Sequence, residues 1–296
     1  MRLDVATVLL QWSAGGLLFC WVTTRRLLVG LGYGWLLRAT YGLMALGAAA
    51  AGRALGQEGT GALVRDLGSL LVAGAAALAL GVSVARRRAG VTGQRAVREH
   101  RRERVAAMLR RDSGPERPDR GVPAGAPAAG VPEFPPFLDL LAPAAGLAAL
   151  LGAAAAAGGP YPQSLVRLVV GALFLGVVSD AMLLGHWYLV QPGLSREPIK
   201  ELVALLALVW PFEVAALLWP TGMLQVFSGE VDDGYQGLLG YTWAVCAVTT
   251  IALTGVTWLA LRERAYSAVM AATGLLYLAI LTAFGTDLVA RAVLAP

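Results

Sequence analysis

Histidine and cysteine are nearly missing from this chain, with two of each in 296 residues. Cys20 and Cys246 make no disulfide framework, and both thiols read as small hydrophobic packing groups. Zinc clusters, Ser-His-Asp constellations and a haem held by two histidines inside the chain are excluded on count, because His100 lies in a basic loop and leaves His186 alone. A single axial His186, completed by Met182 or a partner subunit, is the one haem arrangement left. Charge is scarce as well: 15% of residues are charged and 57% hydrophobic, against roughly 25% and 45–50% in soluble domains. A soluble chain of this length would have to hide too much apolar surface.

What is present in quantity is apolar stretches of the length that crosses a bilayer, about 20 residues. They fall at 4–22, 34–55, 63–85, 137–157, 165–190, 199–219, 238–261 and 266–290. The pattern predicts an all-α polytopic integral membrane protein of about eight transmembrane helices, forming one membrane domain. Residues 1–85 carry helices one to three, 86–136 a basic, Pro/Gly-rich loop, and 137–296 helices four to eight. The first span has the look of a secretory signal, yet its core runs to Thr23 and meets Arg25 and Arg26, a stop-transfer flank.

Orientation follows from the cations, because Lys and Arg stay on the cytoplasmic side. With the N-terminus outside, segments 23–33, 86–136, 191–200 and 262–265 are cytoplasmic and hold 18 of the 24 basic residues. Arg2, Arg53, Arg65, Arg167 and Arg291 fall outside, and Arg38 lies within a span. The loop's first half, "QRAVREHRRERVAAMLRR", reads as a basic helix that lies on an anionic leaflet or extends the third span; nucleic acid is not a partner, since no aromatic or fold signature accompanies the charge. Its second half holds seven of the fifteen prolines and reads as an extended linker. In the outer loop 220–237, Glu230, Asp232 and Asp233 lack the alternating spacing of a calcium loop and read as a solvated acidic turn.

Ionisable groups inside the hydrocarbon cost about 2.5–3.5 kcal/mol on insertion scales, so each is a functional candidate. "SDAMLLGHWYLVQPG" places Asp180 near mid-depth and His186 almost two turns closer to the cytoplasm. At about 100° per residue, Asp180 shares a face with Leu184 and Trp187, and His186 with Ser179, Met182 and Leu189. Each therefore needs a partner from another span, and Arg38 is a candidate for His186 unless it snorkels to the interface. His186, Trp187 and Tyr188 also suit an interfacial belt, with the histidine bonded to a loop carbonyl. The functional reading is that His186, Tyr188, Asp180, Trp187 and Arg38 bind the head group of a quinone or similar amphipathic molecule, because imidazole can donate a hydrogen bond and pass a proton near neutral pH.

Glu213 is a second focus. Pro211 removes a backbone donor and predicts a kink beside it, and Arg53, Arg65 or Arg291 could pair with it. Asp287 and Arg291 form an i, i+4 pair, whereas neighbouring Arg65 and Asp66 are expected to point apart. With Gln11, these residues could line an outward-facing polar cavity.

In size, span number and outward N-terminus the chain resembles the membrane-anchor subunits of quinol-linked oxidoreductases, such as those of polysulfide and dimethyl sulfoxide reductases. The resemblance is architectural, with no family motif on these residues. It implies an inner-membrane subunit that binds a lipophilic molecule, possible ligands including a quinone, alongside partner membrane or soluble subunits. The alternatives are a small-solute transporter with a cavity lined by Gln11, Asp180 and Glu213, or a structural subunit whose charges pair with partner helices.

Overall fold

The computed structural model describes residues 4–55, 58–91, 133–191, 194–220, 222–263 and 265–294. The basic helix over 94–111, most of the proline-rich linker, His100 and the Pro192–Gly193 turn lie outside them.

The described residues are all helical, with no strand. Eight long helices follow in order: α1 Val5–Thr24, α2 Leu31–Ala54, α3 Thr60–Ala85, α4 Leu141–Ala156, α5 Tyr161–Val190, α6 Glu197–Leu218, α7 Leu238–Ala260 and α8 Tyr266–Val293. A 3-10 turn, Pro136–Leu140, leads into α4, and a one-turn helix, Met223–Phe227, lies between α6 and α7. Seven helical segments are long and apolar enough to cross a membrane. The one outside that set is α2, which has the length but carries Tyr33, Arg38 and Tyr41 on its buried side.

Their surfaces have membrane character. Leu43, Leu71, Val245 and Leu281 are each about two-thirds exposed, while Gln11, Asp180, Glu213, Asp287 and Arg291 are buried. Soluble proteins rarely present apolar side chains along every helix; in hydrocarbon the polar groups turn inward because lipid offers them no hydrogen bond.

Packing divides the chain differently from the sequence. The compositional break falls after α3, but neighbours in space define two rings of four: α1, α2, α3 and α4, each against the next and α4 back on α1, then α5 to α8 in the same way. The rings join where α1 and α4 lie against α5, chiefly along α1. Helices α1 and α5 run parallel, since Gln11 meets Leu168 and Gly15 meets Ala172 and Gly176 in ascending register. Small residues allow that approach, as they do elsewhere in membrane bundles.

Ion pairs and hydrogen bonds tie the loops at one end of the bundle, the end with most of the described cations. Arg25 after α1 bonds Glu201 on α6, and Arg196 before α6 reaches the carbonyls of Glu263 and Ala265 between α7 and α8. At the opposite end Asp4 caps α1, its carboxylate accepting from the Ala6 and Thr7 amides, and also pairs with Arg65 on α3. α6 remains helical through Pro211, and Trp210 beside it donates to the Ala247 carbonyl of α7 at 2.9 Å.

Candidate functional site

Buried polar groups gather in three places, and each collects residues from helices distant in sequence. The first lies in the half of the second ring nearer the opposite end. Asp287 and Arg291, one turn apart on α8, form a bidentate pair at 2.6 and 3.0 Å. The same guanidinium donates to the Gln11 side-chain oxygen from α1, and the Gln11 amide donates to the Leu168 carbonyl at 2.6 Å. Gly171 leaves the room: a Cβ there would stand 2.8 Å from Gln11 Nε2 and 3.2 Å from Asp287 Oδ1.

Glu213 reaches this region from α6. It is fully buried, and among the described residues neither carboxylate oxygen has a hydrogen-bond partner. Asp287, Arg291 and Arg167 act on it through space, and Arg167 is anchored by its Nε donating to the Ala216 carbonyl at 2.9 Å. Two donors here are left over as well: Arg291 Nη1 and the indole Nε1 of Trp243, both buried without a partner among the described residues. Trp243 packs in one cluster with Leu217, a turn beyond Glu213, and with Ala290 beside Arg291. Buried polar atoms are nearly always satisfied, so the unpartnered Glu213 oxygens, Arg291 Nη1 and Trp243 Nε1 make this region a candidate binding site.

The second place is the joint between the rings. Asp180 on α5 is fully buried, and its Oδ1 accepts from the Tyr41 hydroxyl of α2 at 2.5 Å. Among the described residues its Oδ2 has no partner, and Tyr33 donates to its backbone carbonyl at 3.2 Å. Beside it, Trp12 donates to Ser179 Oγ at 2.8 Å.

The third lies toward the basic end of the first ring. Arg38 holds Asp139 in a fork, Nε to Oδ1 at 2.7 Å and Nη2 to Oδ2 at 2.6 Å. Thr24 adds a bond to Asp139 at 3.0 Å, and the Phe134 ring covers the guanidinium. Arg38 is therefore neither a snorkelling residue nor a partner of His186, because Asp139 just before α4 claims its whole fork.

The residues expected around a quinone are spread out. Asp180 faces the core, while His186 is exposed on the outside of the bundle, its Nδ1 3.1 Å from the Tyr277 hydroxyl of α8. The bond to a loop carbonyl expected of His186 is made by its neighbour: the Tyr188 hydroxyl donates to the Ser195 carbonyl. Trp187 bonds Gln191 at 3.1 Å.

Of the expected cavity group, Gln11, Glu213, Asp287 and Arg291 are brought together. Arg65 and Asp66 belong to a separate corner and do not point apart, since Arg65 Nε meets Asp66 Oδ1 at 2.8 Å. Neither Arg53 nor Arg65 pairs with Glu213, and Arg53 is exposed. Sequence reasoning missed Tyr41, Tyr33, Asp139 and Trp243. The i, i+4, i+8 spacing of Tyr33, Leu37 and Tyr41 was the available signal, since it places both hydroxyls on the buried face of α2. Among the described residues no cluster of His, Cys, Asp and Glu could hold a metal ion. Comparison with family models, with curated proteins and with solved structures finds no match for the chain.

Proposed function

We propose that the chain is an eight-span protein of the inner membrane, with its N-terminus outside and its basic end cytoplasmic, and that it transports a small polar solute. α2 serves as the eighth span, its polar face turned into the first ring. The solute site is the outer-half cluster of Glu213, Arg291 and Trp243, supported by Gln11, Asp287 and Arg167. One observation carries this reading: among the described residues Glu213 has unsatisfied acceptors, and unsatisfied donors are buried on Arg291, whose charge acts on it, and on Trp243, which clusters with Leu217 and Ala290. Burying such atoms without partners costs about 1–3 kcal/mol each. A solute with a donor toward Glu213 and an acceptor toward Arg291 would recover that cost. Two four-helix rings joined where α1 and α4 pack on α5 also suit transport, since transporters commonly rock one helix bundle against another.

The test is thermal stabilisation of the purified protein in mild detergent, with amino acids, amines, small carboxylates and sugars as probes. Wild type and Glu213→Gln are run side by side, and any stabilising probe is then followed into proteoliposomes. A probe that stabilises wild type, loses its effect in Glu213→Gln and is taken up supports the reading. A wild type indifferent to every probe sinks it.

A second reading has its own observation. The His186–Tyr277 pair is exposed on the outside of the bundle, where a polar pair has only lipid or a ligand beside it. A quinone carbonyl could accept from it near the inner leaflet, as in a membrane subunit of an electron-transfer complex with partner chains. A quinone in the organic extract of wild type but not of a folded His186→Ala would favour this reading over transport.

A further inference from the structure

We infer that Asp180 is the group that binds and releases the coupling proton of this transporter, an assignment that rests on the transport reading and gives it a driving ion. The geometry separates Asp180 from the other buried carboxylates among the described residues: Asp139 is paired with Arg38 and Asp287 with Arg291, and Glu213, though without a hydrogen bond, has the charges of Arg291 and Arg167 acting on it. Among the described residues Asp180 has no ion pair, and a single hydroxyl, Tyr41, donates to its side chain.

An ionised carboxylate in a dry interior with no cation beside it is far more costly than the neutral acid. Asp180 therefore rests protonated, with Oδ1 accepting from Tyr41 and Oδ2 carrying the proton. The groups facing it can be named helix by helix. Tyr41 and Tyr33 come from α2, and Cys20 comes from α1. The charged groups before α4 and on α6 and α8 have cations of their own: Asp139 before α4 is held by Arg38, Glu201 on α6 by Arg25 and Asp287 on α8 by Arg291, while Glu213 on α6 is acted on by Arg291 and Arg167.

Position supplies the coupling. Asp180 belongs to the second ring and Tyr41 to the first, so a rocking of the rings changes the only side-chain bond the carboxyl has. On release the Oδ2–H bond breaks, its electron pair stays on oxygen, and the proton passes to water. The carboxylate left behind keeps the Tyr41 hydrogen bond and must draw water into the joint. Hydroxyls continue toward the cytoplasmic end, with Tyr33 beside Thr23, and beyond them Thr24 donating to Asp139, which Arg38 holds.

The experiment is infrared difference spectroscopy on the full-length protein in lipid nanodiscs, between mildly acidic and mildly alkaline buffer, in H2O and D2O. Wild type is expected to show a protonated-carboxyl C=O band at neutral pH that shifts in D2O. Asp180→Asn should lose it and Glu213→Gln should keep it. If Asp180→Asn does not fold, Tyr41→Phe serves instead, since it keeps the carboxyl but removes its donor and should move the band to higher frequency. A wild type without the band, a band that survives Asp180→Asn, a band lost only in Glu213→Gln, or one unmoved by Tyr41→Phe overturns the assignment. No solute enters the measurement, so an Asp180 band in a protein that responds to no solute would fell the transport reading and leave the proton site standing.

Discussion

Gly15 on α1 and Gly176 on α5 meet backbone to backbone: a Cβ on Gly176 would stand 2.3 Å from the carbonyl carbon of Gly15, and one on Gly15 would stand 1.8 Å from the carbonyl oxygen of Ala172. No rotamer relieves a clash with main-chain atoms, so either methyl must push the two rings apart. The bonds on both sides of the contact, Gln11 to Leu168 and Trp12 to Ser179, would lengthen with it.

Gly176→Ala and Gly15→Ala are each expected to destabilise the protein by at least the ~1–3 kcal/mol of ordinary overpacking. Gly74→Ala on α3 is the control, because a Cβ there meets nothing within 4 Å and alanine is the better helix former by about 1 kcal/mol. Thermal unfolding in detergent separates them: the joint variants should melt lower than wild type and the control no lower. A Gly176→Ala protein that melts with the control would show that this contact does not fix the rings.

The Arg38–Asp139 fork should behave as a buried pair whose members are costly apart and dispensable together. Both side chains are almost fully buried, so Asp139→Asn or Arg38→Met alone leaves one charge in hydrocarbon. Each single change is expected to cost about 3–5 kcal/mol, while a well-packed apolar double replacement can come out near neutral. A double-mutant cycle on chemical unfolding in mixed micelles reads the coupling. Additive single effects would mean that the fork contributes little beyond packing.

Helix positions were legible in the sequence and side-chain partners were not. Each long helix begins and ends within a few residues of its apolar stretch, because the length of a span is set by the bilayer and by the Gly, Pro and Arg residues that flank it. Facing was legible only within one helix: the 100° turn per residue correctly separated Asp180 from His186. Partners depend on which helices are neighbours, and apolar sequences of similar composition do not encode that order strongly. Asp139 is an example, lying so close to the predicted loop that it reads as an interfacial charge until the 3-10 turn Pro136–Leu140 swings it under Arg38. Trp243 is another, since one more tryptophan in an apolar run gives no sign that its indole will lack an acceptor.

Asp233, in the loop before α7, offers a pH-dependent prediction outside the membrane-spanning segments. Within the solvated acidic turn expected there, Asp233 also caps the start of α7: it accepts from the amides of Tyr235 at 2.9 Å, Gly237 at 2.8 Å and Leu239 at 2.8 Å. Desolvation pulls its carboxyl upward, but these amides, with that of Gly240, outweigh it and hold the group below the ordinary aspartate value. The folded form thus binds the proton more weakly than the unfolded chain. The stability it contributes is fully present above about pH 3.9, the ordinary aspartate value, and is lost as pH falls through the lower folded value. Amide hydrogen exchange at Gly237 and Leu239, corrected for intrinsic rate, is expected to lose protection across that acid range in wild type. In Asp233→Asn it should be weaker and flat with pH. Equal protection in the two proteins at every pH would show that the start of α7 is held by packing on Phe227 and Tyr241, which meet ring to edge at 6.2 Å, and not by this carboxylate.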